Sequence, residues 1–119
     1  MTVRQGFAQG LVGLPAEVAK YMPRAYSVTL SPAAVAPGTA EQTFTVTGLT
    51  TDDLVSVNKP TQQANLGIAG CRVSAADTLA ITFINAPGTA ITSLTAATSV
   101  TPTASEEYTV IAIRCATRA

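Results

Sequence analysis

Histidine and tryptophan are both absent from these 119 residues, and cysteine occurs only twice. Without histidine the chain lacks the commonest general base near neutral pH and the imidazole that many metal sites use. Two cysteines, Cys71 and Cys115, are too few for a disulfide scaffold. Both fall in segments that read as strands, so they read first as small buried hydrophobes. A bridge between neighbouring strands is the alternative, and a reducing compartment would keep it open. Charge is scarce as well: seven basic residues balance seven acidic ones. Arg4, Lys20, Arg24, Lys59, Arg72, Arg114 and Arg118 never cluster, so the basic stripe of a nucleic-acid binder is missing. No apolar run approaches the ~20 residues of a membrane-spanning helix. The opening residues lack the continuous apolar core of a secretory signal. The chain is thus expected to bind neither nucleic acid nor membrane, and nothing in it points to export.

Chemical motifs are equally sparse. No Gly-rich phosphate loop and no calcium-loop spacing occurs. Asp52-Asp53 and Glu106-Glu107 are the only adjacent carboxylate pairs. Neighbours on a strand point to opposite faces, so neither pair naturally converges on a bond or a metal ion. They read as turn and strand-start charges, and the expectation is no enzyme, no cofactor and no metal. A hydrolytic activity lost on mutating Asp53 or Glu107 would reverse that reading. Lys59 and Arg72 flank a connector between two strands. Either could reach a partner, but a solvated face is the plainer reading, since exposed ion pairs contribute little.

What the chain does have is β character. Apolar residues make up 47% of it, but with three Phe and three Tyr the bulk of a core must come from Val, Ile and Leu. Thr is abundant, and its branched β-carbon suits a pleated surface. Tyr26–Leu30 alternates with Tyr26, Val28 and Leu30 on one face. Pro37-Gly38 marks a turn. Glu41–Leu49 alternates again, Phe44 and Val46 inward and Thr43, Thr45 and Thr47 outward. Leu54–Asn58 is a further strand, closed by Lys59-Pro60 because proline cannot donate to a ladder. Leu66–Ala75 follows, with Gly67 and Gly70 hinting at a bulge or a close backbone approach. Ala76-Asp77 turns the chain into Thr78–Asn85, and Ser105–Cys115 closes the domain.

Two stretches, Leu79–Ile84 and Tyr108–Ile113, are apolar on both alternating faces. Such strands are usually central or buried on both sides, and an antiparallel pairing of 78–85 with 105–115 is the best single guess at the topology. Between them, residues 86–104 are too long for a plain turn and read as a functional loop or an extra hairpin using Ile91, Leu94 and Val100. Counting that hairpin gives about seven strands. The expected fold is therefore all-β, an antiparallel β-sandwich, immunoglobulin-like or jelly-roll, over residues 24–119.

Residues 1–23 differ in kind. Gly6, Gly10 and Gly13 punctuate a mildly apolar segment, and Pro15 could open one or two helical turns before Pro23 stops them. This reads either as a loose tail or as an arm that orders on a neighbouring subunit, where Phe7, Leu11, Val12 and Leu14 could find a groove.

The runs LVSVNKP, CRVSAADTLAITFIN and TPTASEEYTVIAIR resemble a pattern of small structural proteins of tailed bacteriophages, in particular the head decoration (cement) proteins. The resemblance spans Leu54 to Asn85 and Thr101 to Arg114, and departs from the family in the long Ala86–Val100 segment. It implies a β-sandwich made in the host cytoplasm and carried on the virion. As a dimer or trimer it would bind the major capsid protein lattice on the outer surface and stabilise the head. Contacts would come from the arm (Phe7, Leu11, Val12, Leu14, Tyr21) and the long loop (Ile91, Leu94). A tail, neck or fibre-associated β module is the alternative within the same class. An immunoglobulin-like module for carbohydrate or a host surface is a further one, weakened by the lack of Trp and by having only Tyr21, Tyr26 and Tyr108 for ring stacking.

Overall fold

The computed structural model describes residues 22–87 and 98–114. Six strands follow one another: β1 (Arg24–Leu30), β2 (Gly38–Thr45), β3 (Asp53–Asn58), β4 (Leu66–Ala75), β5 (Thr78–Asn85) and β6 (Glu106–Arg114). They form two antiparallel three-stranded sheets, ordered β1-β6-β3 and β2-β5-β4, and the described residues contain no helix. The seventh strand expected within 86–104 is not there among the described residues. Val100 instead makes an isolated bridge to Val35, and Ile91 and Leu94 lie outside the described residues.

Alternation in the sequence decides which side of each strand is buried. In β1, Tyr26, Val28 and Leu30 turn toward the second sheet while Ala25, Ser27 and Thr29 face water. In β6, Tyr108, Val110 and Ala112 are buried and Thr109, Ile111 and Ile113 are exposed. β5 is the most enclosed strand: Leu79, Ala80, Ile81, Phe83 and Asn85 are all buried. Leu79, Ile81 and Phe83 meet Val35, Val46, Leu49 and Val73 in one core between the sheets. The expected bulge in β4 appears as a register shift between Ile68 and Gly70 against β5.

The anticipated pairing of 78–85 with 105–115 does not form. Each of these strands is the centre of its own sheet, β5 between β2 and β4, β6 between β1 and β3. Two apolar central strands are better placed face to face across a sandwich than side by side, because each then buries its inner side chains against the other sheet. β6 is central as expected, and its outer face is wet.

The registers give the molecule two distinct ends. β1, β3 and β5 start, and β6 finishes, at the end marked by Asp53. Here Gly48 accepts from Arg24 (3.4 Å) and donates to Asp77 Oδ1 (2.8 Å), tying the two sheets together. Gly48 has φ +106°, and a Cβ there would lie 3.1 Å from the Tyr26 hydroxyl, so both backbone and space call for glycine. At the opposite end, marked by Glu106, Asn85 donates to Val35 O (2.9 Å) and Thr98 O (3.0 Å). Gln63 holds Thr101 and Thr103 nearby through their backbone.

Candidate interaction surface

The charged side chains sort themselves into structural pairs. Asp53, whose side chain is 0% exposed, accepts from Arg24 Nη2 at 2.6 Å and from Arg114 Nε at 3.1 Å. Its other oxygen accepts from the Thr50 amide at 2.9 Å. One carboxylate therefore joins β3 to both other strands of its sheet. Burial pushes the Asp53 pKa up, but the Arg24 hydrogen bond, the Thr50 amide and Arg114 outweigh it, and the net shift is downward.

The other end of the same sheet carries a second clamp. Lys59 Nζ lies 3.1 Å from Glu106 Oε1 and donates to Thr61 O at 2.8 Å, while the Thr61 hydroxyl donates to Glu106 Oε2. The Thr61 hydrogen bond and Lys59 hold Glu106 below the usual carboxylate range despite burial. Lys59 is therefore not the solvated-face residue anticipated: its side chain is only 9% exposed. Pro60 follows the end of β3, and its two neighbours, Lys59 and Thr61, both reach Glu106 at the start of β6. Arg72 does behave as read, pairing with Glu41 across the exposed face of β4-β5-β2 at 2.9 and 3.1 Å.

These arrangements tie strand to strand within the sandwich. Among the described residues no group of three or more His, Cys, Asp and Glu is placed to hold a metal ion. Asp53 and Glu106 turn inward, while Glu107 is exposed. Tyr108 is buried with its hydroxyl unpartnered among the described residues, and burial, aided by the Glu106 charge, pushes its pKa up to about 12. Cys71 is half-buried on β4, its thiol 3.4 Å from Val55 O and raised in pKa by burial. Cys115 lies outside the described residues.

The surface that stands out is the outer face of sheet β1-β6-β3. Its large exposed apolar side chains are Leu54 (57%), Ile113 (44%) and Ile111 (37%). All three point the same way and are neighbours in register: Leu54 pairs with Ile113, and Ile111 sits between Ala25 and Ser56. They form one patch at the Asp53 end, whereas Thr29, Asn58, Glu107 and Thr109 make the other half of that face polar. Sequence reasoning missed this patch. The signal is present in β3, where Leu54 is out of phase with Val55 and Val57, and in β6, where Ile111 and Ile113 make the second face of the strand apolar.

The residues singled out for contacts, Phe7, Leu11, Val12, Leu14, Tyr21, Ile91 and Leu94, all lie outside the described residues. Their points of attachment are nevertheless informative. Met22 leads into β1 at the Asp53 end, while Pro87 and Thr98 flank the loop at the Glu106 end. Met22 thus stands at one end of the sandwich and Pro87 and Thr98 at the other. The described residues include no helix long and apolar enough to cross a membrane. Comparison with protein-family models, with curated proteins and with solved structures returned no match.

Proposed function

We propose that this chain is a non-enzymatic structural protein of a tailed-phage virion that binds the outer surface of the capsid and stabilises the head, acting as a homo-oligomer. The observation that carries the reading is the double clamp. One sheet is tied at both ends by buried carboxylates, Asp53 held by Arg24 and Arg114, Glu106 held by Lys59 and Thr61. That is the construction of a rigid module, with its inward carboxylates neutralised by structural partners instead of aimed at a substrate. The sequence runs that resemble cement proteins coincide with β3 to β5 and with β6, the central strands included. The described residues form six strands in two sheets, and of the two expected sandwich classes the immunoglobulin-like one is the reading we favour.

A protein that binds the assembled lattice and not its free subunits stabilises the shell by mass action. A neutral, threonine-rich module suits that role, because it adds little charge repulsion when many copies are crowded on one surface. Co-sedimentation of the full chain with undecorated phage shells tests the proposal. Saturable pelleting with intact shells, and none with dissociated capsid subunits, is the expected result. Failure to pellet with shells at any concentration would overturn it and turn the search to tail components.

A further inference from the structure

We infer that the apolar patch of Leu54, Ile111 and Ile113 is a docking site for the chain's own N-terminal segment, residues 1–21, which folds back over the outer face of sheet β1-β6-β3. This goes beyond the capsid reading and does not depend on it. The patch is real in chemical terms: three branched side chains, adjacent in register and turned to water on one face. Such clustered apolar groups mark contact sites more often than scattered ones do.

Three occupants within this chain can be compared by where they start. The loop at 88–97 leaves and returns at the Glu106 end, a whole sheet length from the patch. Residues 115–119 emerge beside Ile113 but read Cys-Ala-Thr-Arg-Ala, with no large aliphatic side chain. The N-terminal segment joins β1 at Arg24, opposite Ala112 and so at the patch end, and it brings Phe7, Leu11, Val12 and Leu14.

Its reach is ample. Leu11 is about ten residues before Met22, roughly 35 Å of extended chain, while the patch lies one or two strands from Arg24, about 5–10 Å across the sheet. That leaves enough chain to reverse direction and lie down, and Gly10, Gly13 and Pro15 suit the reversal. A second copy of the sandwich is the weaker occupant. Three side chains fall far short of the ~20–30 residues a side that stable interfaces bury. A tethered segment needs much less contact, because its effective concentration at the patch is in the millimolar range.

Methyl NMR on the full chain tests this. With uniform methyl labelling, nuclear Overhauser contacts are expected between Leu11 or Leu14 and Ile111 or Ile113. They should vanish in an isotope-filtered experiment on an equimolar mixture of labelled and unlabelled chains, which sees only contacts between molecules. Deleting residues 2–21 should move the Leu54, Ile111 and Ile113 methyl signals by more than a linewidth and leave the Leu79 methyls in place. Should the deletion not fold, Leu11→Ser combined with Leu14→Ser in the full chain gives the same readout. Contacts that survive the filter would overturn the inference in favour of a second copy's arm. Methyl signals at the patch that ignore both the deletion and the double substitution would overturn it outright. Neither result involves capsids, so the outcome is separate from that of the sedimentation experiment.

Discussion

Asp53 shows how a single side chain can hold a sheet together. It sits at the start of β3, Arg24 at the start of β1 and Arg114 at the end of β6, and the carboxylate bonds to both guanidinium groups. Removing one partner of a buried ion pair costs about 3–5 kcal/mol because the remaining charge is left uncompensated. Here the two arginines are 27% and 22% exposed, so water recovers part of that loss. Asp53→Asn is expected to lower the unfolding free energy by about 2–3 kcal/mol at pH 7, read as a fall in urea midpoint with an unchanged slope. The pH dependence follows from the direction of the shift. Asp53 has a folded-state pKa below its unfolded one. Its contribution is therefore whole above the ordinary aspartate value of about 4 and is lost as pH falls through the lowered one. The difference between parent and variant should narrow as pH drops below about 4. A difference that stayed constant into acid would mean that Asp53 acts through packing, not charge.

At the scale of elements, one side chain reaches both the β1–β2 connector and the segment returning to β6. Asn85, buried at the end of β5, donates to Val35 O and Thr98 O, and Val35 and Val100 exchange backbone hydrogen bonds of 2.8 and 3.0 Å beside it. Asn85→Ala would remove one of the two hydrogen bonds to Val35 O, which keeps that from the Val100 amide, and the one to Thr98 O, at a cost of about 1 kcal/mol. Hydrogen exchange should show faster amides at Val35 and Val100 and little change at Leu79 to Phe83, which the β5 ladders hold. How much of this was legible differs by element. Alternation in Tyr26–Leu30 and the turn at Ala76-Asp77 were plain, because period and turn chemistry are local properties. Partner choice is not local. β5 and β6 are both apolar and central, and nothing in either says whether the other lies beside it or across the core. The clamps at Asp53 and Glu106 were also hidden, since a carboxylate at a strand start looks the same in sequence whether it meets water or an arginine from a strand 61 residues away. Leu54, Ile111 and Ile113 were visible as apolar residues, but only the pairing of β3 with β6 makes them one patch.

On the scale of the whole molecule, the question is whether the two clamps act as one device or as two. They brace opposite ends of the same sheet, and β6 runs between them from Glu106 to Arg114. Eight residue steps of extended strand separate them by roughly 25 Å, and they share no partner: Thr50, Arg24 and Arg114 serve Asp53, while Lys59 and Thr61 serve Glu106. Effects of substitutions that far apart normally add. They fail to add when a rigid element between them has two arrangements that both sites bias. β6 is the candidate for such an element, being hydrogen-bonded on both sides along its length. Packing argues against a second arrangement, because Tyr108, Val110 and Ala112 are 0% exposed and a one-residue slip would turn all three to water. The expected outcome is independence: the drop in urea midpoint for Asp53→Asn with Glu106→Gln should equal the sum of the two single drops. A double variant that loses markedly less than the sum would show that either single substitution already frees β6, and that the sheet is held as one unit from its two ends.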